Sequence, residues 1–446
     1  LSGPQPHYRK LARCPLSVIP DSTRGLGAQA GQAASYAKGM SELITNIGEL
    51  MTQDGEHGTR RNAAVVLEGE RIAWIGDAVH APAADTVTDA HGRAVLPGWV
   101  DSHTHLIFAG DRTAEFEARM AGESYSAGGI AVSVNATRSA SDYDLTRLGM
   151  GRVAEAVSQG TTYLETKTGY GLDVEHERRS ARIASTVADE VTYLGAHLVP
   201  NGMDADAYTE LVCTEMLEAV RPYVSWADVF CERGAFTAEQ SRAVLAACRD
   251  AGLGLRVHGN QLGHGDGVKL AVEFAAASVD HVNFLTDDDV ARLAQSWSGW
   301  DAAGNAGRGA GVRGTVATVL PACDLSTRAP LAPARQLLDA GVQLAMASNC
   351  NPGTSYTSSM AFCVTTAVLQ MGLSVHEAVR AATFGGALAL GRESGLDEDG
   401  KRAVGSLAVG HRADLHMLKA PSATHLAYRP GIPLTAGVWR AGVREV

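Results

Sequence analysis

The sequence predicts an α/β protein, a (β/α)8 TIM-like barrel carrying a small β-sandwich built from the N- and C-terminal segments. Three observations predict it. Eight short β-branched or apolar runs, at 96–103, 161–167, 191–197, 226–232, 253–258, 278–284, 315–321 and 343–349, are each followed by a polar boundary and then a segment of helical period. Strand-like alternation broken by Gly and charged turns fills 43–95 and returns at 404–446. Two strand-rich ends flanking one long middle section are expected to meet, because a sheet face must be buried against something. Finally, polar side chains gather at the C-terminal ends of the eight runs. That is the face where such a barrel keeps its chemistry, whereas its interior layers are apolar.

In chain order, residues 1–39 are rich in Gly, Ala, Ser and Gln without a sustained apolar period, and Met40 is a plausible start. This segment is expected to be a poorly ordered tail or extension. Residues 40–96 and 400–446 are assigned to the composite sandwich and 97–399 to the barrel. Helical segments stand out between the runs, as at 174–190 and at 237–252, where Thr237 is a cap and Gln240 takes the capping-box position. The Gly-rich stretch 298–314 is expected to be a surface loop.

Bulk properties narrow the function. With 446 residues and 45% hydrophobic content, the chain has material for a sizeable core. A formal net charge of −11 lacks the basic footprint that nucleic acid or an anionic membrane requires, so a small-molecule substrate fits better. The sequence has no apolar run of the roughly 18–20 residues that a spanning helix needs and no secretory apolar core near Leu1, and a cytoplasmic protein is expected. The seven cysteines are scattered and never paired as C-x-x-C, which points to reduced, buried thiols; Cys350 is the one beside candidate site residues.

The strand ends carry the chemistry. Strand one ends in His103 and His105, strand two in Lys167, strand three in His197, strand four in Glu232, strand five in His258 and strand eight in Asn349, while strand six carries His281. One histidine at a strand end is more often a hydrogen-bonded structural residue; five converging on one rim reverse that expectation. His103 and His105 have the i, i+2 spacing that turns both rings to one face of an extended strand. Neutral imidazole is the commonest zinc ligand and also suits iron.

The run PGWVDSHTHLIFAGDR at 97–112 resembles the amidohydrolase superfamily and, within it, the imidazolonepropionases of histidine degradation. The resemblance extends to TKTGYGLD (166–173), LGAHLVP (194–200), DVFCERGAFTAEQS (228–241), VDH (279–281) and NPGTSYTSSM (351–360). It implies hydrolysis of 4-imidazolone-5-propanoate to N-formimidoyl-L-glutamate with one zinc or iron ion, in a homodimer. It also implies metal ligands at His103, His105, His258 and position 349, and substrate contacts at Arg112, Tyr125, Tyr170, His197, Gln261, Asn351, Gly353 and Thr354. Metal-activated water is suited to a lactam that resists bulk water. The planar fork of Arg112 suits a propanoate tail, and an ordinary surface ion pair is its bland alternative. His281 can stabilise or protonate the tetrahedral intermediate. The family is mononuclear, so Lys167 is not expected to be a carboxylated bridge between two metals.

Two positions depart from the family pattern. The family's H-A-D-E reads H-G-N-Q at 258–261, placing Gln261 where a glutamate is common, and Asn349 stands where an aspartate binds metal and takes the proton of water. An amide oxygen can ligate a metal but cannot accept a proton at pH 7, and losing a positioned base costs about 10²- to 10⁴-fold. An offsetting effect is that neutral ligands leave the ion's charge uncompensated and so make hydroxide easier to form. Three readings stand: a slowed enzyme of this family, a relative that binds metal and ligand without turnover, and a cyclic amidohydrolase with another substrate.

Overall fold

The eight runs become strands at Trp99–Asp101, Thr161–Lys167, Glu190–Ala196, Trp226–Cys231, Gly254–Gly259, Ser278–His281, Val316–Val319 and Leu344–Met346. In this computed structural model, which describes residues 40–55, 57–122, 129–299, 313–395, 400 and 402–446, they form one eight-stranded sheet in strict chain order. Every neighbouring pair is parallel. The predicted barrel class is borne out. The segment 1–39, Tyr125 and most of the Gly-rich stretch 298–314 lie outside the described residues.

One run proved to be two strands. Within 96–103, Leu96 and Pro97 end a strand, Ala94–Pro97, that pairs antiparallel with Leu415–Leu418, and the barrel strand begins only at Trp99. Gly98 makes the crossing. A Cβ there would sit 2.2 Å from the Thr162 side chain, so only glycine lets the chain pass from the small sheet into the barrel.

The sheet order starts at the first strand and ends at the eighth, and the seam between them is closed at the end that carries the site. The Asn349 amide donates to the His103 carbonyl at 3.0 Å. Asp101 clamps Ser348 through the backbone N–H at 3.0 Å and the hydroxyl at 2.5 Å. Burial raises the Asp101 carboxyl to about 7 although the Ser348 bonds oppose it. From outside, the seam is covered by a helix that runs from Val375 through a π turn at Ala381–Gly385 into Gly386–Ala389. A Cβ on Gly385 would lie 2.1 Å from the Leu344 carbonyl oxygen and one on Gly386 2.3 Å from that of Val100. Each glycine therefore lets the helix touch one strand of the seam.

Two further sheets flank the barrel. One holds Arg71–Asp77, Ala63–Glu68, Ser41–Ile47 and Thr86–Asp89, and the other holds Val443–Arg444, Thr435–Arg440, Leu415–Leu418, Ala94–Pro97, Glu49–Met51 and Thr59–Arg60, each in that order. A shared apolar cluster, including Ile44, Val65, Leu67, Val95, Leu415 and Trp439, lies between them. Trp439 Nε1 also donates to Glu42 Oε2 at 2.9 Å, tying the chain's two ends together. The helix at Ala238–Asp250 carries the expected reciprocal cap between Thr237 and Gln240. Among the described residues no helix is long and apolar enough to cross a membrane.

Replacing Gly385 by Val should destabilise the fold by about 1–3 kcal/mol or more, because the obstacle is backbone and cannot rotate away. Gly151→Ala, where a Cβ meets nothing within 4 Å inside the helix Asp142–Ser158, should hold or raise the thermal midpoint. Equal midpoints for the two variants would contradict this account of the seam.

Candidate functional site

The site is assembled where the strands give way to irregular backbone. His103, His258 and His281 each offer a ring nitrogen, and the three atoms lie within 4.8 Å of one another. The ring centroids are 4.5 Å apart for His103 and His258, 5.4 Å for His103 and His281, and 5.2 Å for His258 and His281. His105 stands beside this trio, 5.4 Å from His103 and 5.7 Å from His258, with its ring stacked on His197 at 5.7 Å. Several of these groups sit on strained backbone: φ is +83° at His281, +70° at Asn349 and +57° at Asn260. A side chain in that region costs of order 1–3 kcal/mol, a strain that persists only where surrounding structure overrides it.

Beneath the rings lies a fully buried layer of charge. Asp280 Oδ2 accepts from His103 Nδ1 at 2.6 Å and from Arg256 Nη2 at 3.0 Å. Asp228 Oδ2 lies 2.9 Å from His258 Nδ1 and 3.0 Å from Lys167 Nζ, and Lys167 also reaches Glu165 Oε1 at 2.9 Å. Burial pushes the Asp280 carboxyl up, but Arg256, His103 and Lys167 outweigh it and hold it well below the usual carboxylate range. The three carboxylates outnumber the two cations by one, a charge that a cation among the histidines would offset. Because the carboxylate accepts the Nδ1–H hydrogen bond of His103, the Nε2 lone pair is left for a ligand. Lys167 is thus bound in an ion-paired layer, and the trio above is the one metal-competent group among the described residues.

The donor set fits a metal ion. Burial lowers the pKa of His103, His105 and His281 well below the ordinary imidazole value and that of His197 to about 4, so all four are neutral near pH 7. His103 Nε2, both ring nitrogens of His105, His281 Nδ1 and Asn349 Oδ1 are buried without a hydrogen-bond partner. An unsatisfied buried polar atom costs about 1–3 kcal/mol, so five at one place mark atoms whose partner is something other than protein. Asn349 is oriented for this: its Nδ2 donates to Thr354 Oγ1 at 2.7 Å, which leaves Oδ1 as the available ligand atom.

A pocket opens above the cluster, walled on one side by His105, His258, His281 and Asn349. Arg112, Tyr170, His197, Gln261, Asn351 and Thr354 line the rest. His197 Nδ1 donates to the Gly169 carbonyl at 2.9 Å, so its Nε2 is an acceptor. Asn351 Oδ1 accepts from the amides of Gly353 at 2.8 Å and Thr354 at 3.3 Å and so shapes the turn that carries Thr354. His103 lies under the pocket rather than in its wall. Gly353 lies against the Arg112 guanidinium, where a Cβ would be 2.0 Å from Nη1. Arg112 itself is ion-paired, with Nε and Nη2 donating to the two Glu115 carboxylate oxygens at 2.8 and 2.7 Å.

Sequence reasoning passed over several residues. Ile130, Leu198 and Phe230 supply the apolar wall, and Phe230 could have been found as the i−2 neighbour of Glu232 on one strand face. Glu232 stays outside the pocket and accepts the Gln261 backbone N–H, holding the turn after His258. The cysteine at the site is Cys323 rather than Cys350: its sulfur lies 3.7 Å from Gln261 Nε2 and contacts Asn349 and Thr354. Burial raises both thiols to about 12, so neither is a thiolate nucleophile. No spacing marks Cys323, which sits in the helix Pro321–Thr327 behind strand seven.

A barrel with a buried histidine cluster at the C-terminal ends of its strands has a metal-competent site on its catalytic face, and residues 94–444 match the model of the amidohydrolase family. Imidazolonepropionase from Arthrobacter sp. (strain FB24) is 79% identical over 91% of the chain and 100% of its own length, and that from Paenarthrobacter aurescens (strain TC1) is 77% identical over 92% and 100%. Among solved structures, a triazine hydrolase variant shares 17% identity with a TM-score of 0.68, over 91% of this chain and 94% of its own. An adenosine deaminase from Xanthomonas campestris with bound zinc, 18% identical, gives 0.63 over 90% and 92%, so these two share the fold. The chain belongs to the amidohydrolase family and, within it, to the imidazolonepropionases.

Asp280→Asn should weaken metal affinity about 10- to 100-fold, read by titration against a competing chelator, because the orienting acceptor of His103 becomes a neutral amide oxygen in place of a carboxylate. Unchanged affinity would mean that Asp280 serves only the charge layer.

Proposed function

We propose that the chain hydrolyses the lactam C–N bond of 4-imidazolone-5-propanoate to N-formimidoyl-L-glutamate in histidine degradation. One zinc or iron ion would be held by His103, His105, His258 and Asn349. The observation that carries this reading is the set of unpartnered ring nitrogens and the Asn349 oxygen converging beside a pocket that also holds Arg112. The relatives named imidazolonepropionase, at 79% and 77% identity over their whole length, support the same substrate.

When bound, the ion supplies Lewis acidity toward both the attacking water and the lactam carbonyl. The chain's residues do the rest. Arg112 takes the propanoate, and His197 Nε2, fixed as an acceptor by the Gly169 carbonyl, receives a ring N–H. Tyr170, Gln261, Asn351 and Thr354 bound the ring, and Phe230 and Leu198 keep bulk water from it. The water oxygen bonds to the carbonyl carbon, the C–N bond breaks, and its electron pair stays on the formimidoyl nitrogen. Neutral His281, with Nδ1 unpartnered, accepts the proton from water and returns it to that nitrogen. Asn349 cannot share the task, since an amide does not accept a proton at neutral pH.

Asn349→Asp should therefore raise kcat by about 10²- to 10⁴-fold at equal metal content, followed by loss of imidazolone absorbance and appearance of formimidoylglutamate. A natural chain as fast as the Asp variant would show that a carboxylate at position 349 adds nothing as a proton acceptor. Product from the Asp variant alone would favour the second reading, in which Asn349 leaves a protein that binds metal and ligand without turnover. Arg112→Ala should weaken propanoate-bearing ligands about 10- to 100-fold and leave metal content unchanged; loss of metal would misplace Arg112. This reading carries with it a homodimer in a cytoplasmic setting. The exposed Phe116, Tyr356 and Phe362 around a cleft beside Arg112 support self-association, which light scattering would measure.

A further inference from the structure

We infer that Glu115 is the positioning residue that fixes which edge of Arg112 meets a ligand, and so sets the pocket's preference for ligands carrying a carboxylate. The inference rests on Arg112 as the carboxylate receptor. Arg112 is the N-cap of the helix Thr113–Met120, and Glu115 lies in its first turn. Glu115 binds the Nε–Nη2 edge with both carboxylate oxygens, at 2.8 and 2.7 Å. A guanidinium has five N–H donors in a fixed plane, so with the Nε–Nη2 edge taken the Nη1–Nη2 end, one hydrogen on each nitrogen, remains as the edge for a second carboxylate.

The plane itself is held in a slot of backbone. A Cβ on Gly353 would be 2.0 Å from Arg112 Nη1, and one on Gly129 would be 2.6 Å from Nη2 and 2.2 Å from Glu115 Oε2. Arg119 secures one wall, donating from Nη2 to the Gly353 carbonyl at 2.7 Å and from Nη1 to the Ser326 carbonyl at 2.9 Å. Two effects of Glu115 on an incoming carboxylate oppose each other: like-charge repulsion weakens it, and orientation of the receptor strengthens it. Orientation prevails, because the Glu115 side chain is 28% exposed and its repulsion is screened by water. Arg112, 3% exposed, has no solvent to steady it once that partner is gone.

Calorimetry on the metal-loaded chain, at a pH about two units above the imidazole pKa so that neither ring is protonated, tests this with two unreactive probes: 3-(imidazol-4-yl)propanoate and uncharged 4-propylimidazole. Glu115→Gln and Glu115→Ala should weaken the propanoate probe about tenfold and the neutral probe less than about twofold, with KM for the imidazolone rising more than kcat falls. The isosteric Gln variant should keep the thermal midpoint, which separates positioning from folding. Parallel weakening of both probes, or tighter binding of the propanoate probe, overturns the inference. A preference for the propanoate probe that is undiminished in both variants overturns Glu115 alone, whereas equal affinity of the unaltered chain for the two probes overturns the carboxylate role of Arg112 with it.

Discussion

The carboxylate of Asp280 is the contact on which fold and site both depend. It fixes His103 from below and binds Arg256, which in turn donates to the Ser102 carbonyl at 2.7 Å and the Ala389 carbonyl at 3.2 Å. Strand six is thereby tied to the segment that carries the first histidines and to the helix that covers the seam. Removing several charges from water is expensive, and the expense is recovered only if each keeps its partners. The layer formed by Glu165, Lys167, Asp228, Arg256 and Asp280 therefore behaves as one rigid floor.

Closing the barrel and presenting the chemistry are the same act in this protein. The amide of Asn349 closes the seam on the His103 carbonyl, while its side chain is turned by Thr354 so that the amide oxygen is left unpartnered. Left-handed backbone at Asn349 is tolerated because these two bonds over-determine the local conformation. The site is preorganised by the barrel's own closure.

Much of the fold was legible because the relevant signals are local. The eight strands follow from short β-branched or apolar runs, and the His103–His105 pairing follows from the two-residue period of an extended chain. The 96–103 run was misjudged as one strand, since nothing local shows that Gly98 passes the Thr162 side chain. At the site, the residues at strand ends could be named, but their partners could not. Asp228, Asp280, Arg256 and Cys323 look in sequence like ordinary residues, and only their distance from the histidines gives them meaning.

By itself, the sequence determined the barrel, the strand ends that bear the histidines, and the membership of the chain in its family, because periodicity and motif are properties of neighbours along the chain. Tertiary structure alone decided three further matters. It decided that His281 joins His103 and His258 in the tightest cluster with His105 beside it, that Lys167 is an ion-pair partner in the floor, and that Arg112 already holds Glu115 on one edge. Each depends on groups far apart in sequence brought within a few ångströms in a dry interior, where charge and lone pairs must be matched.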